Sequence, residues 1–112
     1  LHLASAAGRF EAVELLLKRR AYIERQDVYG ATPLVLASAS GCLGTMCVLL
    51  SQQASVNAFN FSGWTGLHLA ANSGHVEAVS LLLEHHANIN CQNKFGRTPL
   101  HCACANDDLT VI

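Results

Sequence analysis

Charge is scarce in this sequence. Charged residues make up 13% of its 112 residues, hydrophobic residues make up 51%, and the formal net charge is −1. Nucleic acids and anionic membranes are bound through an excess of basic residues, so this balance argues against both as partners. The one basic cluster, Lys18–Arg20, is too short to change it. An apolar, nearly neutral chain of this length is expected to fold as one domain spanning residues 1–112.

Long apolar runs and catalytic motifs are also missing. The most apolar stretch, Leu34–Leu50, is interrupted by Ser, Gly and Thr and is shorter than the roughly 20 residues that a membrane span requires. The chain contains no G-x-S-x-G, P-loop, G-x-G-x-x-G or H-E-x-x-H sequence. We therefore expect no membrane insertion, no catalysis and no cofactor.

The cysteines do not form a disulfide framework. There are five, an odd number without regular spacing, and no signal peptide precedes them. This favours a reduced, intracellular protein, in the cytoplasm or the nucleus. The chain opens on Leu1 rather than Met and stops at "LTVI", so we interpret it as an excerpt of something longer.

What the sequence does contain is a repeat. Thr32, Thr65 and Thr98 open the elements "TPL", "TGL" and "TPL", and successive members lie 33 residues apart. The same offset aligns many other residues: Leu1, Leu34, Leu67 and Leu100; Ala4, Ala37, Ala70 and Ala103; Gly8, Gly41 and Gly74; Gly30, Gly63 and Gly96. So many coincidences at one offset predict stacked structural units. Their approximate bounds are 1–26 (partial), 27–59, 60–92 and 93–112 (partial).

Each unit has a physical interpretation. "DVYG", "NFSG" and "NKFG" place Asp or Asn first and Gly fourth, which is typical of the turn at a hairpin tip. Thr then serves as a helix N-cap, followed by Pro at the first helical position in two units. A short helix of small residues is followed by a second helix with one apolar face. One unit cannot bury that face alone, so neighbouring units must supply the core.

The segment "GWTGLHLAANSGHVEAVSLLLEHHANIN" (Gly63–Asn90) resembles the ankyrin repeat over its whole length. The resemblance extends from Leu1 to Ile112 and indicates a fragment of a longer ankyrin array. It implies an all-α repeat solenoid, in which helix-turn-helix units of 33 residues are joined by short β-hairpins. It also implies a module without chemistry of its own, which binds a protein partner on the concave face formed by the hairpin tips and the first helices. Asn57 and Asn90 match the position that an oxygen-dependent asparaginyl hydroxylase often modifies in such repeats.

The chain departs from the ankyrin pattern at a few positions. Val35 replaces the histidine found at His2, His68 and His101, so that imidazole network should be missing in one repeat. Gly66 replaces the proline and should loosen a helix start. Arg20, Gln53 and His86 stand where the family usually has glycine at the end of the second helix, and Asp107 replaces an inter-helix glycine.

The stretch "HCACAN" (His101–Asn106) suggests a metal or redox site, but packing explains it better. Cys102 aligns with Leu36 and Leu69, and Cys104 with Ser38 and Ala71. Free cysteine is a small, frequently buried residue. No second cysteine or histidine pair completes four ligands, so no metal is predicted. Thiol or metal regulation through Cys102 and Cys104 remains the less favoured alternative.

The hairpins carry most of the aromatic residues, which are good interface anchors. We predict that this face binds a protein or peptide through the variable positions Val28, Tyr29, Ala39, Phe61, Ser62, Trp64, Asn72, Ser73, Lys94, Phe95, Arg97 and Asn106. The alternative to binding is that some of these aromatic residues, Phe59 in particular, pack between adjacent hairpins. The chain is expected to be monomeric.

A second function remains open. No Asp, Glu, Lys or Arg occurs between Asp27 and Glu77. Solvation by Ser, Asn and Gln explains this gap, but so would a middle repeat covered by a ligand or by the parent protein. The chain would then be a structural or regulatory segment that packs inside a larger enzyme, channel or ubiquitin-ligase adaptor.

Overall fold

A computed structural model describes residues 1, 2, 5, 8–19 and 21–104. Five helices have defined bounds: α1 (Phe10–Lys18), α2 (Pro33–Ser40), α3 (Leu43–Ser51), α4 (Gly66–Asn72) and α5 (Val76–Glu84). Residues 99–104 are also helical. The order is that of repeated helix pairs: α2 and α4 are first helices, as is the segment 99–104, and α1, α3 and α5 are second helices.

The first helices begin at the predicted threonine caps. Thr32 Oγ1 accepts the amide of Val35 at 3.4 Å, and Pro33 follows at the first helical position. Thr65 Oγ1 accepts the amide of His68 at 3.2 Å, and the Thr65 amide donates back to His68 Nδ1 at 3.1 Å. A histidine thus completes a capping box that usually contains Glu or Gln. The prediction that Val35 interrupts this network in the second repeat is confirmed, because the valine side chain has no atom that could accept a hydrogen bond from the Thr32 amide.

The second helices α3 and α5 are each followed by a left-handed residue. Gln53 has φ 65° and His86 has φ 66°, and each follows the last turn of its helix by two residues. Both residues therefore adopt the conformation that glycine has at this position in the family pattern, and they carry its cost. Arg20, the third member of this set, and Asp107 lie outside the described residues.

The hairpins are tight turns with very little strand. In the described residues the one β-bridge is the antiparallel pair Phe59–Thr65. Each turn is closed by two backbone bonds, such as those from the amide of Asn60 to the carbonyl of Trp64 at 3.0 Å and from the amide of Gly63 to the carbonyl of Asn60 at 2.9 Å. The Asp/Asn-x-x-Gly pattern thus forms the predicted turns, and the paired segments on either side remain short.

The core lies between successive helix pairs. Its most completely buried large side chains include Leu34, Met46, Leu49 and Leu82, which come from two adjacent helix pairs. The molecule is elongated, with extents of 47 × 24 × 23 Å, as expected when units stack along one axis. None of the described helices has the length and apolar character needed to cross a bilayer.

Gly66 has a packing role that its sequence position does not reveal. A Cβ atom at this residue would lie 2.7 Å from Ser38 Oγ, so the bare backbone allows α4 to approach α2 closely. The residue is buried, in keeping with this contact.

Candidate partner-binding face

The hairpin tips are shaped by one acceptor side chain in each turn. Asn60 Oδ1 accepts the amides of Ser62 and Trp64, at 2.9 and 3.0 Å. The equivalent acceptors are Asp27, bonded to the amides of Tyr29 and Ala31, and Asn93, bonded to the amides of Phe95 and Arg97. These inward bonds leave the side chains at the tip free to point away from the turn. We call the three turns, residues 27–31, 60–64 and 93–97, the hairpin strip.

Each turn of the hairpin strip exposes one aromatic side chain. Tyr29, Phe61 and Phe95 are 74%, 70% and 66% exposed, and we call them the tip aromatics. Val28 is 83% exposed beside Tyr29. Removing a large apolar side chain from water lowers the free energy of the system. Three such side chains held at successive tips therefore form a surface suited to a partner.

Backbone hydrogen bonds join the three turns. The amide of Phe61 donates to the carbonyl of Tyr29 at 3.0 Å, and the amide of Lys94 donates to the carbonyl of Ser62 at 2.9 Å. A Cβ atom on Gly30 would lie 2.5 Å from the ring of Phe61, so that ring rests directly on the glycine backbone. The strip is therefore one connected surface, and the position of Phe61 is set by the hairpin before it.

Trp64 is placed differently from the tip aromatics. It is half-buried, and its ring meets that of His68 edge-on with centroids 5.8 Å apart. His68 Nε2 in turn lies 2.8 Å from the carbonyl oxygen of Arg97 in the next hairpin. Trp64 thus supports the joint between two repeats and offers a partner only part of its surface.

The remaining predicted contact residues differ in exposure. Asn72 and Ser73 are exposed at the end of α4, Lys94 and Arg97 are exposed on the third hairpin, and Ala39 and Ser62 are half-buried. Asn106 lies outside the described residues. Participation of these side chains in binding stays a prediction.

Phe59 corrects one expectation. It is 58% exposed instead of packing between hairpins. Its equivalents at the repeat offset are Gln26 and Gln92, whose side-chain amides donate to the carbonyls of Gly30 and Gly96. Two polar residues at one repeat position indicate an exposed place, so the alignment of the repeats contained the signal that identifies Phe59 as surface.

Asn57 ties one repeat to the next. Its Oδ1 accepts the amide of Asn88 at 2.8 Å, and Glu24, one repeat earlier, accepts the amide of Ser55 at 2.7 Å. This bond joins the loop after α3 to the loop after α5. Asn57 and Asn90 are both exposed, and their hydroxylation stays a prediction.

The cysteines of "HCACAN" have different environments. Cys102 is 2% exposed, whereas Cys104 is exposed. Burial raises the pKa of the Cys102 thiol, and nearby Arg97 acts in the opposite direction. The neighbouring His101 repeats the capping contact: its Nδ1 accepts the Thr98 amide at 3.0 Å. In the part of the chain that the structure describes, no group of three potential ligands comes together. Cys102 thus occupies the apolar core position predicted for it.

Comparison with protein families agrees with this architecture. A family model described as ankyrin repeats (3 copies) matches residues 1–60, more than half of the chain, and one described as ankyrin repeats (many copies) matches residues 67–112. Comparison with curated proteins gave no match. Capped helix pairs at a 33-residue offset, bonded hairpins and both family matches lead to one conclusion: the chain belongs to the ankyrin repeat family, whose members are generally protein–protein interaction modules.

Proposed function

We propose that this chain binds a protein or peptide partner along the hairpin strip and the adjoining edge of its first helices, on the concave side of the stack, inside the cell. The observation that carries the proposal is the exposure of one aromatic side chain at each of three connected tips. Aromatic side chains in the middle of an interface contribute most of the binding free energy in many complexes. The rigid turns also lower the entropic cost of binding, since their backbones are already ordered.

The proposal is tested with peptides selected from a random dodecapeptide display library on the wild-type protein. Combined substitution of the tip aromatics, Tyr29→Ala, Phe61→Ala and Phe95→Ala, should lower the affinity for the selected peptides at least about 30-fold. One hot-spot aromatic alone contributes about 2 kcal/mol to the binding free energy. Isothermal calorimetry measures the affinities, and circular dichroism checks that the variant is folded.

The matched control is the pair Tyr22→Ala and Val76→Ala. Both side chains are large, apolar and exposed, but they lie outside the hairpin strip. Peptide affinity should stay within about twofold of wild type in the control. Equal losses in the two variants, or no loss in the tip variant, would contradict the proposal.

A packing role inside a larger chain is the second candidate, and one observation favours it. Leu100 is 71% exposed, whereas its equivalents Leu34 and Leu67 are 1% and 3% exposed. Leu83 is exposed nearby and lines the same apolar depression as Leu100. This end of the described stack is a surface on which a further structural unit of the parent protein would pack. Selected peptides whose binding ignores the tip aromatics would favour this role over the first.

A further inference from the structure

The charges of the hairpin strip are distributed unevenly. Lys94 and Arg97 are exposed on the third hairpin, and Arg25 is exposed just before the first. No Asp or Glu occurs in residues 28–76, which include α2, the second hairpin and α4. None occurs in residues 85–106, which include the third hairpin. The carboxylates between those ranges, Glu77 and Glu84, belong to α5 in the outer row of second helices. The third hairpin therefore carries two positive charges, the second hairpin carries no charge, and neither hairpin has a carboxylate of its own.

The two carboxylates near the first hairpin are already engaged. Asp27 Oδ1 accepts the amides of Tyr29 and Ala31, both at 2.9 Å. Glu24 Oε2 accepts the amide of Ser55 at 2.7 Å. These bonds use the carboxylates to hold the loops of the chain itself. They also place negative charge at one end of the strip, while the cations Lys94 and Arg97 stand at the other.

Cations and aromatic rings adjoin on the third hairpin. Lys94 Nζ lies 5.6 Å from the ring centroid of Phe95. The Lys94 backbone is fixed by its bond to Ser62, and the turn acceptor Asn93 fixes the amides of Phe95 and Arg97. An apolar group that contacts Phe95 would thus lie beside Lys94, with Arg97 two residues further along the same turn, and a carboxylate there would be attracted by both charges.

From this arrangement we infer that the partner of the hairpin strip is an acidic peptide segment, with apolar side chains against the tip aromatics and its carboxylates over Lys94 and Arg97. The inference rests on the proposed function, because it assumes that the strip is the binding surface. Asp27 and Glu24 outnumber the single cation Arg25 beside the first hairpin and would repel the acidic end of the segment, so the segment has a defined direction along the strip. Two cations on a chain of net charge −1 are too few for a nucleic-acid strand, whose binding requires many neutralised phosphates.

The test begins with the composition of the peptides selected from the random dodecapeptide library. Those that depend on the tip aromatics should be enriched in Asp and Glu relative to the library. A selected peptide is then synthesised in two forms, as selected and with Asp and Glu replaced by Asn and Gln. Trp64, the only tryptophan, lies in the second hairpin and reports binding by its fluorescence.

The charge contacts are then removed with Lys94→Gln plus Arg97→Gln. On wild-type protein at low salt, the amide form should bind at least about tenfold more weakly than the acidic form. On the double variant this difference should shrink below about threefold, as expected for groups that interact directly. The control is Lys18→Gln plus Arg19→Gln, which removes the same charge from the exposed end of α1 and should leave the difference intact. High salt should weaken the binding of the acidic form more than the binding of the amide form.

Each contrary result has a distinct meaning. If the selected peptides need the tip aromatics but show no acidic enrichment, the inference is wrong and the proposed function stands. If no selected peptide needs the tip aromatics, both are wrong. An equal effect of the Lys18/Arg19 control would show unspecific attraction and overturn the inference, as would tighter binding of single-stranded oligothymidylate than of the acidic peptide.

Discussion

At the scale of single residues, His68 shows how one side chain can join two repeats. Its Nδ1 accepts the Thr65 amide at 3.1 Å, which leaves the proton on Nε2, and that nitrogen donates to the carbonyl of Arg97 at 2.8 Å. The side chain and the Thr65 amide are buried, so without the imidazole that amide would lose its bond and could not replace it with water. Its equivalent in the second repeat is Val35, so the chain provides its own model of a joint without the imidazole.

Replacing His68 with Val should therefore destabilise the protein by about 2 kcal/mol, because the buried Thr65 amide loses its partner and the bond to the Arg97 carbonyl is also lost. Urea unfolding followed by circular dichroism measures this loss. His101→Val is the control: His101 makes the same contacts to Thr98, at 3.0 and 3.3 Å, but it is exposed. Water can replace the lost bonds there, and the cost should stay below about 1 kcal/mol. A loss at His68 no larger than that at His101 would contradict this account of the joint.

At the scale of elements, the ends of α3 and α5 store strain. Gln53 and His86 adopt left-handed conformations, with φ 65° and 66°, and both side chains are exposed. A side chain with a Cβ atom is disfavoured there by about 1–2 kcal/mol, whereas glycine adopts the conformation freely. Nothing in the packing offsets that cost, since the side chains point into solvent.

Gln53→Gly and His86→Gly should each stabilise the fold by about 0.5–1 kcal/mol, the relief of strain being reduced by the greater freedom of glycine in the unfolded chain. Gln52→Gly provides the contrast one residue earlier, where φ is −92° and glycine offers no relief. The free energy of unfolding of that variant should fall by up to about 1 kcal/mol. Thermal unfolding of the three variants gives the comparison, and a destabilised Gln53→Gly would refute the strain argument.

The elements also show what sequence could predict. The turn acceptors Asp27 and Asn60 with their glycines, the threonine caps and the left-handed helix ends were predictable, because each depends on local backbone chemistry repeated at a fixed offset. The half-buried position of Trp64 and the close contact of Gly66 with Ser38 were not, because they depend on how one repeat meets the next. The exposure of Phe59 falls between these cases, since its glutamine equivalents indicate it only when the repeats are compared with one another.

At the scale of the whole molecule, the stack separates the packed core from the hairpin strip that we propose for recognition. The second helices carry the acidic residues Glu11, Glu14, Glu77 and Glu84, whereas the hairpin strip carries the tip aromatics with Lys94 and Arg97. Between them, α2 and α4 supply small and buried residues to the core. In such a solenoid each unit depends on its direct neighbours, so a partner on the strip can be exchanged by surface substitutions without altering the core.

The same dependence on neighbours predicts unequal local stability along the stack. α4 and the helical segment 99–104 begin with the same cap, since Thr65 and Thr98 make the same contacts to His68 and His101. Their packing differs: Leu67 is 3% exposed and its equivalent Leu100 is 71% exposed. Because local opening costs less where fewer apolar contacts are lost, amides of α4 should exchange with deuterium at least about tenfold more slowly than those of 99–104. Hydrogen exchange followed by mass spectrometry measures both segments in one sample. Equal protection would mean that this chain opens only as a whole, with a cooperativity greater than contacts between neighbouring units provide.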